Sequence, residues 1–433
     1  MRGSGVVTRV VVTGMGAVTP IGRDAPSTWA AMKQGRSGVG PITTFDTTTY
    51  PVKIAGMVND FDPHEQLPDP RRMRHLHRGA AFGVAAGAEA VRSAGLAGAG
   101  SAYEPQECGI AMGGSVARPE LQEFSDIFFT REQSDGHDLF RAHPSRTLTV
   151  SQNVASAELA HHFGVGGPMI GISTACTAST HALGEAYRAI QDGDAKMMLA
   201  GGYDALTSWV DVIGFSLLGA LTSDYNDDPE HGSRPFERDR TGFVLGEGAV
   251  VMVLEELEAA TERGASVLAE VLGYASSLNA YRMTDPPPDG GGAVIAITNA
   301  LAEAGMKLED VDYVVAHGTG TPAGDVSETV AIKAAFGAHA KRLCVTSPKS
   351  MVGHTTCAAG ALNLLAAIGA IRDKVVSPTI NYDNPDPELD LDFVGNQARE
   401  RDVRVALTNA FAFGGTNGAL VVCEAGLRDG ATS

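Results

Sequence analysis

Apolar and polar positions alternate along this chain in short blocks, and most blocks read as buried strands followed by helices. From Thr8 to Val18, β-branched residues run into a glycine turn, which predicts a buried strand and loop. Gly79 to Ala94 shows helical apolar spacing, with Gly95 placed to end the helix. Gly109 to Gly113 predicts another short strand, and a polar, aromatic stretch to about Arg141 predicts a helical excursion. The next unit is a strand, Met169 to Ser173, then Thr174-Ala-Cys176, a helix to Gln191 closed by Gly193, and a strand from Lys196 to Ala200. After Pro235 come a strand, Ala249 to Glu255, a helix to Gly264 and a strand, Val267 to Tyr274.

The second half repeats this grammar. A helix over Ala293 to Ala304 precedes a strand, Val311 to Ala316, and the loop His317-Gly-Thr-Gly-Thr321. A strand, Leu343 to Ser347, leads through Lys349 and His354 into a helix, Ala358 to Ile371, and strands near Val405 to Asn409 and Ala419 to Glu424 close the chain. Each half therefore places a helix rich in small residues directly after a reactive loop. That is a duplication of element order rather than of residue identities.

Composition narrows the class. The 433 residues are 44% hydrophobic and 19% charged, enough to bury a large core in two domains or one duplicated unit. The 52 glycines and scarce aromatics suit a layered α/β protein with tight turns. A formal charge of −18 argues against nucleic acid as a partner. One basic cluster stands out, Arg71-Arg72-Met-Arg74-His75-Leu-His77-Arg78, which fits either a solvated helix face or a dock for an acidic protein. The five cysteines are scattered without a C-x-x-C pair, so a reducing cytoplasm is the expected setting, with no disulfide framework and no metal site. The stretch Val6 to Val12 is interrupted by Arg9 and does not read as a signal peptide, and no apolar run is long enough to span a bilayer.

Three residues carry candidate chemistry. Cys176 falls where a strand turns into a helix, so backbone N–H groups and the helix dipole should lower its thiol pKa. Small residues around a cysteine are equally the setting of an inert core thiol. His317 ends an apolar strand and His354 stands just ahead of a helix, each beside glycine, where active sites gather in α/β proteins. Either could be a structural histidine; with Cys176 they make a nucleophile and two hydrogen-bond donors suited to thioester chemistry. The glycines of Asn409-Ala-Phe-Ala-Phe-Gly-Gly-Thr-Asn417 either let backbone N–H groups form an oxyanion hole or make a tight turn between strands.

Seven blocks then resemble, in order and over roughly 400 residues, the elongating β-ketoacyl-[acyl carrier protein] synthases of the thiolase superfamily. They are Val11-Val-Thr-Gly-Met-Gly-Ala-Val-Thr-Pro20, Ser173-Thr-Ala-Cys-Thr-Ala-Ser179, Arg234-Pro-Phe236, Gly242-Phe-Val-Leu-Gly-Glu-Gly-Ala249, His317-Gly-Thr-Gly-Thr-Pro-Ala-Gly-Asp325, Lys349-Ser-Met-Val-Gly-His354 and Phe413-Gly-Gly-Thr-Asn417. The resemblance implies two pseudo-symmetric βαβαβαββ halves, residues 1–258 and 259–433, in a five-layered α-β-α-β-α core. It implies that Cys176 takes the acyl group, that its amide and that of Phe413 form an oxyanion hole, and that His317 and His354 face a malonyl thioester.

By the same resemblance Lys349 and Glu328 pair and orient the two histidines. Thr319 and Thr321 hold the pantetheine arm, Phe413 gates the acyl pocket, and Arg71 and Arg72 dock an acyl carrier protein. No cofactor beyond that carrier's arm is implied, and the chain is expected to pair with a copy of itself or with a chain-length partner. Ala412, Arg282 and Thr355-Thr-Cys357 depart from the family's usual residues.

Rival readings fit less well. A thiolase would carry a second cysteine where Phe413 stands, a chain-starting synthase would show a Cys-His-Asn set, and a non-catalytic partner subunit would lack Cys176. A scaffold that merely binds carrier protein would not need so complete a site. Fatty-acid and type II polyketide settings both match.

Overall fold

The computed structural model describes residues 8–97, 102–118, 125 and 149–429. Most of the stretch expected as a helical excursion up to Arg141 lies outside them.

The first half contains β1 (Val10–Val18), α1 (Arg78–Ser93), β2 (Cys108–Gly114), α2 (Val154–Phe163), β3 (Met169–Ile172), α3 (Ala178–Gln191), β4 (Met197–Ala205) and β5 (Glu247–Glu256). The second contains β6 (Ala269–Leu278), α4 (Gly291–Ala304), β7 (Tyr313–Val315), α5 (Pro322–Phe336), β8 (Cys344–Thr346), α6 (Ala359–Asp373), β9 (Val405–Phe411) and β10 (Thr416–Cys423). Both halves are βαβαβαββ, and both have the same sheet. The strand order is β3-β2-β4-β5-β1 in one and β8-β7-β9-β10-β6 in the other, with matching parallel and antiparallel neighbours. The two sheets meet where β1 runs antiparallel to β6, Val10 opposite Val271 and Val12 opposite Ala269.

Burial sorts the helices into layers. Leu183 and Ile190 of α3 and Leu364 and Ile368 of α6 share one core with Met252 of β5 and Leu420 of β10, so these two helices lie between the sheets. Val84 of α1 and Leu159 of α2 cover the outer face of the first sheet with Leu199 and Val253. Ile297 of α4 and Ile332 of α5 cover the outer face of the second with Leu272 and Val421. Apolar side chains on both faces of each sheet explain why its strands read as continuous apolar runs rather than alternating ones.

Most expected elements are present, with shifted ends. Gly95 and Gly193 terminate α1 and α3 at φ +71° and +82°, a left-handed conformation that costs glycine little. β4 and β6 run several residues past the ends read from the sequence, through Ala205 and Leu278. Helices α2 and α5 had no clear signal. In α5 the buried face includes Asp325, Ser327, Glu328 and Thr329, so polarity hides a face that is inside.

Candidate active site

The two halves bring equivalent turns together at the centre. In the first, β3 ends in a tight turn over Ala175–Thr177 that enters α3; in the second, a tight turn over Thr356–Ala358 enters α6. Ala175 has φ +48° and Thr356 has φ +44°, so the residue before Cys176 and the residue before Cys357 are held in the same disfavoured conformation. Gly113 and Gly202 on the sheet make room for these turns. A Cβ on Gly113 would come within 2.5 Å of the Ala178 carbonyl carbon, and one on Gly202 within 2.6 Å of the Cys357 oxygen.

Cys176 and His354, 178 residues apart, meet with Nε2 3.0 Å from Sγ. His317 stands edge-on to His354, ring centroids 5.3 Å apart at 82°. All three line one cleft with about 800 Å³ of empty space, mouth included, together with Thr319, Thr321 and Phe413. Backbone N–H groups of Cys176 itself and of Phe413 are directed at the sulfur. With His354 Nε2, three nitrogens therefore converge on this one sulfur.

The tautomer of His354 follows from its other nitrogen. The Thr356 N–H donates to Nδ1 at 3.2 Å, and a backbone amide can only donate, so the ring proton sits on Nε2. Burial, and then the nearby Lys349 charge, hold His354 well below the usual histidine range. His317 is held low by burial, Lys349 and His354 in turn, and its Nδ1 is buried without a partner among the described residues. Both rings are neutral N–H donors at neutral pH.

Two expectations need correction. Cys176 lines the cleft and is partly accessible, yet enough protein surrounds its sulfur for burial to push the thiol up to about 12. Lys349 and the two amides pull it down and Asp204 pushes it further up, but desolvation outweighs them all, so the helix start does not make a ready thiolate. The second concerns Lys349 and Glu328, which do not pair. Lys349 Nζ is buried and has no hydrogen-bond partner among the described residues. Glu328 accepts instead from the His317 N–H at 2.8 Å, the Gly318 N–H at 2.7 Å and the Asn409 side chain at 3.1 Å. It seats the backbone of His317 rather than either imidazole.

Thr319 and Thr321 sit side by side in the cleft with hydroxyls 3.0 Å apart. Phe413 packs near Phe215, ring centroids 6.3 Å apart. Arg71 and Arg72 lie outside the cleft, on the turn Pro70–His75, the first bonded to Asp69 and the second to Glu158. Arg74 beside them has no acidic partner among the described residues. Asn409, Asp204 and Asp325 support the site as well. Asp325 accepts from the Phe236, Thr319 and Gly320 N–H groups at 2.7, 3.1 and 3.2 Å and is raised to about 7, chiefly by burial. A carboxylate at the end of an apolar strand was the signal for Asp204, and the sequence reading passed over it. Among the described residues no group of three or more His, Cys, Asp and Glu side chains could hold a metal ion.

Comparison with known families shows what the chain around this site belongs to. Residues 7–260 match the N-terminal domain of β-ketoacyl synthases and residues 268–383 match their C-terminal domain. The chain belongs to the β-ketoacyl synthase family. It is 43% identical over 410 residues to the 3-oxoacyl-[acyl-carrier-protein] synthase 2 of Synechocystis sp., covering 94% of this chain and 96% of that relative. Among solved structures it resembles the ishigamide ketosynthase/chain length factor at a TM-score of 0.85 and 34% identity, over 96% of this chain and 99% of that one. It also resembles the AntDE:AntF complex, a type II PKS acyl-carrier protein with its ketosynthase bound to the hexaketide, at 0.85 and 30%, over 96% and 100%. This β-ketoacyl synthase is therefore an acyltransferase enzyme with the thiolase-type fold.

Proposed function

We propose that this chain condenses an acyl group held on Cys176 with malonyl-[acyl carrier protein], releasing carbon dioxide and leaving β-ketoacyl-[acyl carrier protein]. In the first step Cys176 Sγ bonds to the acyl carbonyl carbon and the donor carrier leaves as its thiol, taking the cysteine proton. The amides of Cys176 and Phe413 hold the oxyanion of that tetrahedral state. In the second step the malonyl C–C bond breaks, carbon dioxide leaves, and the electron pair becomes a thioester enolate. The neutral N–H groups of His317 and His354 hydrogen-bond its oxygen. The enolate carbon then attacks the acyl carbonyl, and Cys176 departs as thiolate, which takes up a proton from solvent before the next round.

The observation that carries this reading is the 3.0 Å approach of His354 Nε2 to Cys176 Sγ, with the ring proton on that nitrogen. Glu328 keeps the His317 backbone in place, Lys349 depresses both imidazole pKa values, and Thr319 and Thr321 are set to hold the pantetheine arm. No other cofactor is called for. The reading covers fatty-acid and polyketide settings alike.

The carrier would dock on the basic turn around Arg71, Arg72 and Arg74. Of these, Arg71 and Arg74 supply exposed charge, since Arg72 is partly covered by Glu158. The chain would divide at residues 258 and 259 into its two halves and work in the cytoplasm. It would associate through the open edge strand β3, where Met169 is 52% exposed, with a copy of itself or a chain-length partner. Light scattering on the pure chain, alone and with such a partner, tests this; a monomer in both cases overturns it.

The test of the chemistry separates two steps. Cys176→Ala abolishes acyl loading seen by mass spectrometry. His317→Ala and His354→Ala leave loading measurable while malonyl-carrier decarboxylation collapses. Absence of decarboxylation by the unmodified enzyme, or equal loss of loading in the histidine variants, refutes the assignment.

A further inference from the structure

One buried carboxylate next to this site takes no part in the reaction. Asp204, on β4, is fully buried and makes no ion pair among the described residues, an expensive placement for a charge. Its oxygens are filled by donors from both halves. Oδ1 accepts from the Ala205 N–H at 3.0 Å and from the Ser115 hydroxyl; Oδ2 accepts from the Cys357 N–H at 3.2 Å and from the Thr356 hydroxyl.

Thr356 is where the strain lies. It is β-branched and held at φ +44°, a conformation that persists only where its surroundings impose it. Its N–H is the group that donates to His354 Nδ1 at 3.2 Å. A continuous chain of contacts therefore runs from Asp204 in the first half, through the Thr356 side chain and then its backbone amide, to an imidazole of the second half. If that turn relaxed toward an ordinary φ, the amide would swing away from Nδ1. The proton could then move to Nδ1, and Nε2 would face Cys176 as an acceptor.

We propose that Asp204 is a positioning residue that clamps the Thr356–Cys357 turn and thereby fixes His354 as its Nε2–H tautomer. The inference rests on the role given above to His354 and adds a cause for it that lies across the domain junction.

The test uses the intact enzyme with 15N-labelled histidine and long-range 1H–15N spectra, the His354 signals assigned against His354→Gln. In the wild type, Nε2 reads as protonated and Nδ1 as unprotonated. Asp204→Asn and Thr356→Val each shift population toward Nδ1–H and lower kcat for malonyl-carrier decarboxylation by about 10-fold or more, the range typical of residues that orient a reactive histidine. In Thr356→Val, which keeps the Asp204 charge near Cys176, KM and the rate of Cys176 loading stay within about twofold of wild type, and Thr356→Ser, which keeps the hydroxyl, restores the wild-type spectrum and kcat. Wild-type spectra and kcat in both Asp204→Asn and Thr356→Val overturn the proposal, as does a parallel fall of loading and decarboxylation. Should Asp204→Asn fail to fold, Thr356→Val decides alone, because it removes the same contact while leaving the carboxylate its other donors. A wild-type enzyme that holds the Nε2–H tautomer yet does not decarboxylate would instead sink the function proposed for the site.

Discussion

Replacing Lys349 with methionine should make this enzyme more stable at neutral pH while impairing it. Lys349 is 1% exposed, and its ammonium has no hydrogen-bond partner among the described residues. Burial lowers it from its ordinary 10.5 to about 8, against the pull of Glu328, Cys176 and Asp325. That drop corresponds to about 3 kcal/mol of unfavourable ammonium burial at pH 7. The unfolded chain keeps its proton up to 10.5, while the native state sheds it near 8. The native protein is therefore penalised fully below pH 8, and the penalty is relieved as pH rises through that window.

Methionine fills nearly the same volume without a charge. Glu328 loses an attraction that is the smallest of its stabilising influences and keeps three N–H donors. Urea unfolding at pH 7 should show a higher midpoint in Lys349→Met with an unchanged slope, a gain of up to about 3 kcal/mol in unfolding free energy. The advantage should shrink toward pH 10. A lowered midpoint at pH 7 would refute the reasoning, because it is what breaking a buried ion pair does, at about 3–5 kcal/mol.

Other outcomes follow from the same geometry. Alkylation of Cys176 by iodoacetamide should keep accelerating with pH through 8 and 9, since burial holds the thiol near 12; a plateau below pH 7 would contradict that. Decarboxylation should show no inflection near pH 6.5, because burial keeps both imidazoles neutral well below it, and a half-maximal rate at 6.5 in the pH–rate profile would count against neutral donors. Gly113→Ala should cost about 2 kcal/mol or more in chemical denaturation and slow Cys176 loading, as its Cβ presses on the backbone at the start of α3. Arg74→Glu should raise KM for carrier-bound substrate and flatten its salt dependence with kcat unchanged; an unaltered KM would place the carrier elsewhere.

Much of this protein was written locally. Strands such as Val10–Val18, the helix closed by Gly95 and the small-residue helices after Cys176 and His354 follow from the character of a few neighbouring residues; position at element ends singled out Cys176, His317 and His354, and the family resemblance added Phe413. Helix α5 escaped because the first part of its buried face, Asp325 to Thr329, is polar. The electrostatics escaped for a deeper reason. Whether Cys176 is a thiolate and whether Lys349 finds Glu328 depend on desolvation and on charges summed over residues up to 178 positions apart, and the proton on His354 depends on a turn that only the packed halves hold in place. Asp204 meets Thr356 across 152 positions, a separation no local pattern spans. Sequence determined which side chains could react; only the packing of two halves around α3 and α6 decided their charge, tautomer and reach.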